Sequence, residues 1–235
     1  MKLLDGAMGT RLIARGVAPA DVWRAPIDHP ALVAEIHRSY PRAEAITAAT
    51  FGLSAHADHP DTPRIAQAAL RLARDVAASR PVIASLGPGR PDAVAHLLAD
   101  ADVLLLETFT RLDALKHALE HCPFDGPRWA TLCFLGEHTS DGAPPEAARD
   151  LDADAIGVNC GADAGSARLA VRMLGALPVL ARPTAGTDTP VPPSELAALA
   201  RELWDRGVSW IGGCCAAHAE HIDALADVAG ELARE

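Results

Sequence analysis

The sequence predicts a (β/α)8 barrel of the TIM-barrel class, and three observations carry that prediction. Short apolar runs alternate with longer stretches of helical periodicity from one end of the chain to the other, the pattern of parallel strands joined by crossover helices. The runs number eight and have few polar interruptions, as strands covered on both faces should. Acidic, amide and thiol side chains gather at the C-terminal ends of several runs, where a barrel of this class builds its site.

The strand candidates are 2–5, 45–49, 81–85, 103–107, 129–134, 155–159, 178–181 and 209–212. Between the second and third, 61–78 places Ile65, Ala69, Leu72 and Val76 on one helical face. Pro63 falls in its first turn, where a missing N–H is harmless. The stretches 111–120, 164–174 and 194–205 read the same way, with Ser194 as an N-cap. A last helix over 218–232 turns Ile222, Leu225 and Val228 inward and closes the ring. The third unit is shortened, because only 91–100 can form a helix between its strand and the next. Loops are expected at 55–60, after the second strand, and at 136–145, after the fifth.

The chain has 235 residues, 49% of them hydrophobic, enough for one substantial core, and we read 1–235 as a single domain. Its net charge of −10 comes with no basic block, which argues against nucleic acid or an anionic membrane as a partner. The N-terminal residues enter structure at once, without a signal-peptide layout, and no apolar run approaches the ~20 residues of a membrane span. Five cysteines, an odd number in a long chain, do not resemble a disulfide framework. A reducing cytoplasm with free thiols is expected.

Placed on the barrel, Asp5 ends the first strand, Glu107 the fourth, Asn159 and Cys160 the sixth, and Cys214 and Cys215 follow the eighth. Residues far apart in sequence thus ring one mouth. Three cysteines from two strand ends suit zinc with a fourth position left open, where a thiol is the natural guest. In a regular strand Cys214 and Cys215 would point to opposite faces. Gly212-Gly213 is expected to supply the sharp turn that brings both sulfurs inward. Cys122 and Cys133 are read as small buried hydrophobes. His56 and His59 are read as a solvated turn, His218 and His221 as helix surface. Asp152 and Asp154 lie at the opposite end of the barrel, and the four tryptophans are read as packing.

These residues fall into motifs. Leu3-Leu4-Asp5-Gly6-Ala7-Met8-Gly9-Thr10, Glu107-Thr108-Phe109, Gly157-Val158-Asn159-Cys160 and Gly212-Gly213-Cys214-Cys215 resemble, in order and spacing, the zinc-dependent homocysteine S-methyltransferase family. His37 with Tyr40, Ser85-Leu86-Gly87-Pro88 and Glu220-His221-Ile222 extend the resemblance over nearly the whole chain. It implies that Cys160, Cys214 and Cys215 bind Zn2+, with the homocysteine sulfur as fourth ligand. Asp5 and Glu107 would hold the substrate ammonium, backbone N–H groups at Gly6 and Ala7 its carboxylate, and Asn159 would complete the substrate site. A methyl group would pass to the zinc-bound thiolate, giving methionine. The implied donor is a small sulfonium compound, S-methylmethionine or S-adenosylmethionine; betaine or a methyl-carrying partner protein are alternatives.

The sequence departs from the family pattern at three places. Ala49 and Thr184 stand where asparagines are usual, and Ala216-Ala217-His218 replaces Gly-Thr-Thr. Two other readings compete with methyl transfer. Arg182 at the seventh strand end, beside Gly212-Gly213, suits a barrel lyase or isomerase acting on a phosphorylated substrate. A zinc-bound thiol-binding or regulatory barrel without turnover is the other. Protein purified under reductant, without added metal, is expected to carry about one zinc ion per chain by elemental analysis. A value near zero that persists after zinc addition would mean that the cysteines do not converge, and would move the non-enzyme and phosphate readings to the front.

Overall fold

Eight parallel strands form one sheet: β1 (Lys2–Leu3), β2 (Ile46–Ala48), β3 (Val82–Leu86), β4 (Val103–Phe109), β5 (Arg128–Leu132), β6 (Ala155–Cys160), β7 (Val179–Pro183) and β8 (Trp210–Ile211). The structure is a computed structural model and describes residues 2–186 and 189–234. The strand order is β1-β8-β7-β6-β5-β4-β3-β2, so the sheet curls until first and second strands face each other across a seam. This is the predicted (β/α)8 barrel.

Among the described residues the β1–β2 seam carries no ladder. It is closed by individual bonds instead. Glu44 N–H donates to Leu3 O at 2.8 Å, and Leu3 N–H donates to Glu44 Oε1 at 2.9 Å. Higher up, the Thr47 N–H and hydroxyl donate to the two carboxylate oxygens of Asp5, each at 2.6 Å.

Side-chain alternation explains the barrel interior. Successive residues of a strand point to opposite faces. Leu4, Ala45, Ile83, Val103, Leu105, Trp129, Ala155 and Leu180 form one buried cluster, separate from the apolar layer under the helices. Two positions further along, the same faces of β2, β3, β4, β5 and β7 present Thr47, Ser85, Glu107, Thr131 and Arg182, all buried. An apolar floor is thus overlaid by a polar tier beneath the mouth.

The helices are α1 (Gly9–Ala14), α2 (Ala25–Asp28), α3 (Pro30–Arg38), α4 (Thr62–Ala77), α5 (Pro91–Val94), α6 (Leu112–His121), α7 (Pro193–Asp205) and α8 (Ala219–Leu232). Pro63 does fall in the first turn of α4. The third unit is as thin as expected, one turn of α5 followed by a 3-10 turn over Ala95–Leu98. Two expectations need correction. The N-cap of α7 is Pro192, because Pro193 opens the helix and leaves Ser194 inside it. Residues Ala164–Met173 wind as 3-10 turns, with Asp163 accepting from Ser166 N–H at 2.9 Å. Gly165 and Ser166 weaken α-helical geometry there. None of the described helices is long and apolar enough to cross a membrane.

His37 on α3 is 1% exposed, and neither ring nitrogen has a hydrogen-bond partner. Burial, helped by the Arg80 guanidinium, pushes its imidazole from 6.5 down to about 4. The folded protein therefore keeps His37 neutral where the unfolded chain takes up a proton. Stability is full above pH 6.5 and falls as the pH drops toward about 4, a loss on the order of 3 kcal/mol from this group. Urea unfolding at a series of pH values should show that slope in the wild type and a shallower one in His37→Leu. Parallel curves would contradict the assignment.

Candidate active site

The cysteine loop follows β8, and its backbone is held from several sides. Gly213 N–H donates to Asp5 O at 3.0 Å, Cys214 N–H to Pro183 O at 2.8 Å and Ala216 N–H to Thr10 Oγ1 at 2.9 Å. Ala217 N–H returns to Cys214 O at 3.1 Å and closes a turn. That turn, with Ala216 at φ 60°, brings both sulfurs to one side. The expected role of the glycines is therefore corrected, since neither has positive φ. They give room instead: a Cβ on Gly212 would meet Leu4 Cβ at 2.6 Å, and one on Gly213 would meet Ala217 Cβ at 2.2 Å.

Cys160 arrives from the opposite side at the end of β6, with φ 58°, a left-handed conformation that disfavours side chains other than glycine. Its sulfur lies 3.6 Å from Cys215 Sγ, and the sulfurs of Cys160, Cys214 and Cys215 all lie within 4.8 Å of one another. Tetrahedral zinc with bonds of about 2.3 Å needs sulfurs about 3.8 Å apart. The donor set and its spacing fit that ion. Hydrogen bonds from Cys160 and Cys215 hold the Cys214 thiol well below the usual thiol range, with Arg182 assisting against burial. Cys160 is pushed up, through its hydrogen bonds with Cys133, Cys214 and Cys215.

Cys133 is buried as expected, and hydrogen bonding with the neighbouring Cys160 draws its thiol down to about 7. Cys122 is buried away from the mouth, and burial raises its thiol to about 12.

Asn159 is fully buried and commits its whole amide to the protein. Its Oδ1 accepts from Thr108 N–H at 2.9 Å and from the Thr131 hydroxyl at 2.8 Å. Its Nδ2 donates to Thr108 Oγ1 at 2.7 Å and lies 3.5 Å from Glu107 Oε2 and 3.7 Å from Cys214 Sγ. It fixes the bulge between Leu106 and Phe109 of β4, where Thr108 has φ 65°, and so aims Glu107. Bulges commonly re-aim side chains in this way.

Asp5 and Glu107 both reach the polar tier, and a resident cation lies between them. Arg182, 4% exposed, donates from Nη2 to Asp5 Oδ1 at 3.1 Å and from Nε to Gly213 O at 3.2 Å. Its Nη1 lies 3.7 Å from Glu107 Oε2. Burial raises the carboxyls of both acids, Glu107 to about 7, against the pull of Arg182. The Arg182 charge is therefore balanced by two carboxylates, which weighs against the dianionic phosphate of the lyase or isomerase reading. Sequence reasoning missed this pairing. The signal was present, because Arg182 is the inward-facing successor of Leu180.

At Gly6-Ala7, the Ala7 N–H donates to Ala217 O at 2.8 Å. The Tyr40 hydroxyl bonds to Ala7 O at 2.7 Å, with Ala217 O at 3.2 Å. Thr184 Oγ1 donates to Cys215 O at 3.2 Å, so that departure from the family pattern braces the cysteine loop. His56 stacks on Trp23 with ring centroids 4.0 Å apart, and His59 meets the same ring edge-on at 4.9 Å. His56 is half-buried and His59 exposed, so the loop is the solvated turn expected, pinned to Trp23. His221 is 3% exposed, with Nε2 2.8 Å from Val191 O; it is an interior tie at the start of α8, not helix surface. Asp152 and Asp154 hold Arg128 at the far end of the barrel.

Cys160→Ala, Cys214→Ala and Cys215→Ala should each lose bound zinc, whereas Cys133→Ala should retain it. Metal content after dialysis checks this, and zinc retained in any of the first three would refute that ligand.

The sequence profile of the homocysteine S-methyltransferase family matches residues 2–229. Betaine–homocysteine S-methyltransferase 1 of Mus musculus is 26% identical, over 98% of this chain and 72% of its own length. S-methylmethionine–homocysteine S-methyltransferase BHMT2 of Pongo abelii is 28% identical, over 98% and 78%. The metallated form of the homocysteine methyltransferase MmuM from Escherichia coli superposes with a TM-score of 0.76 at 25% identity, covering 97% of this chain and 96% of that one. With its fold, its motifs and this match, the chain belongs to the homocysteine S-methyltransferase family of thiol methyltransferases.

Proposed function

We propose that residues 1–235 act as one homocysteine-binding barrel that uses Zn2+ to transfer a methyl group to homocysteine, giving methionine. The convergence of the Cys160, Cys214 and Cys215 sulfurs within 4.8 Å carries the reading. As donor we propose a small sulfonium compound, S-methylmethionine or S-adenosylmethionine, which is in keeping with the relative named for S-methylmethionine. A methyl-carrying partner protein is the alternative source. All five cysteines are free, consistent with work in a reducing cytoplasm.

Zinc held by the three thiolates would supply the Lewis acidity that keeps the acceptor sulfur deprotonated at neutral pH. The chain's own residues do the rest. Cys160 and the Cys214-Cys215 turn fix the acceptor sulfur at the mouth. Glu107, aimed by the Asn159-held bulge, takes the acceptor's ammonium, a pairing strengthened by burial. Asp5 acts indirectly, by holding Thr47 and Arg182 in place. The apolar floor below prevents water from reaching the sulfur from inside the barrel.

Zinc-loaded protein with homocysteine should form methionine with S-methylmethionine or S-adenosylmethionine. Absence of product with either donor, and with betaine, would sink the proposal of a self-sufficient enzyme. Glu107→Ala should weaken homocysteine binding about tenfold or more while zinc content stays unchanged. Loss of zinc from that variant would mean that Glu107 supports the metal site instead.

A further inference from the structure

Arg182 leaves one chemical demand unmet. Its guanidinium is buried, and two of its three nitrogens have partners. The third, Nη1, makes no hydrogen bond. Its nearest acid, Glu107 Oε2, stands at 3.7 Å, beyond hydrogen-bond reach. A buried charged donor without a partner is costly and rare. Nη1 lies in the polar tier, facing Glu107, whose own surroundings include Cys214.

The carboxylate site suggested by the family resemblance is, in addition, partly taken. Of the two amides at Gly6-Ala7, the Ala7 N–H already donates to Ala217 O. The space at Gly6 is narrow, since a Cβ there would meet Ala217 O at 2.5 Å and Tyr40 Cε1 at 2.8 Å. The donor that lacks an acceptor is the guanidinium.

We infer that Arg182 Nη1 binds the carboxylate of the acceptor thiol and makes Arg182 a specificity-determining residue of this site. This deepens the proposed function, because it rests on an acceptor thiol seated over the three cysteines. Charge supports it. The Arg182 guanidinium lies between the Asp5 and Glu107 carboxyls. A zwitterion with its ammonium on Glu107 and its carboxylate on Arg182 adds one partner of each sign and leaves the balance unchanged. An arginine fork recognises a carboxylate better than a point charge does. Asp5, saturated by Thr47 and Arg182, sets the fork and does not touch the ligand.

The test is calorimetric binding of homocysteine and of 3-mercaptopropylamine, which is homocysteine without its carboxylate, to zinc-loaded protein. The wild type should bind homocysteine about tenfold or more tightly over the amine. In Arg182→Gln that preference should collapse toward unity, read at a zinc content matched to wild type because Arg182 also holds the Gly213 carbonyl. A wild-type preference near unity overturns the assignment. So does a large preference that survives in Arg182→Gln, which would return the carboxylate to backbone amides. Should Arg182→Gln fail to fold, Arg182→Lys keeps the buried positive charge but not the fork, and its preference should also fall. A preference unchanged from wild type would equally overturn the inference. Methyl transfer is read separately. An intact binding preference without product from any donor would sink the enzyme reading and leave the role of Arg182 standing.

Discussion

The Asp5 carboxylate is the constraint on which the rest of the mouth depends. It is 2% exposed and accepts from both donors of Thr47 on β2 while pairing with Arg182 on β7. One side chain thereby closes the seam between first and second strands and fixes the only buried cation of the polar tier among the described residues. Arg182 in turn holds the Gly213 carbonyl at the root of the cysteine loop. Breaking a buried pair of this kind by removing one partner is strongly destabilising, because the other charge is left without compensation. Cys214 and Cys215 are therefore positioned by this buried pair as much as by their own turn.

Much of this was legible in the sequence. The eight apolar runs became eight strands, and the residues at their ends met where the barrel rule placed them. Strand length was overestimated at β1 and β8, because Asp5 and Gly212 leave regular geometry in order to meet each other: Gly213 N–H reaches Asp5 O. The three-thiol cluster was readable because cysteines near strand ends are scarce and their positions distinctive. The roles of Asn159 and Arg182 were not. Whether an inward polar residue faces ligand or neighbour depends on side-chain distances that spacing does not encode. Arg182 sits on an apolar strand in phase with Leu180, which marks it as buried but does not name its partners.

The glycine pair shows how a correct location can come with the wrong reason. Gly212 and Gly213 are needed because Leu4-Asp5 and Ala217 approach too closely for any Cβ, whereas the backbone reversal is borne by Cys160 and Ala216 in left-handed conformations. Non-glycine residues held there are strained. At this mouth the strain is offset by hydrogen bonds on both flanks of the turn, from Ala216 to Thr10 and from Ala217 to Cys214.

The seam between β1 and β2 carries a consequence for motion. Barrels resist local opening because each strand is zipped to two neighbours, and opening follows the joint with fewest backbone bonds. Here that joint is spanned by Glu44 and by the Asp5 carboxylate. Breathing at the seam pulls Asp5 away from Thr47 and frees the arginine that it anchors. Thermal loosening of the barrel and loss of the assembled mouth are thus one cooperative event, so the fold's weakest joint also sets how long the site stays intact.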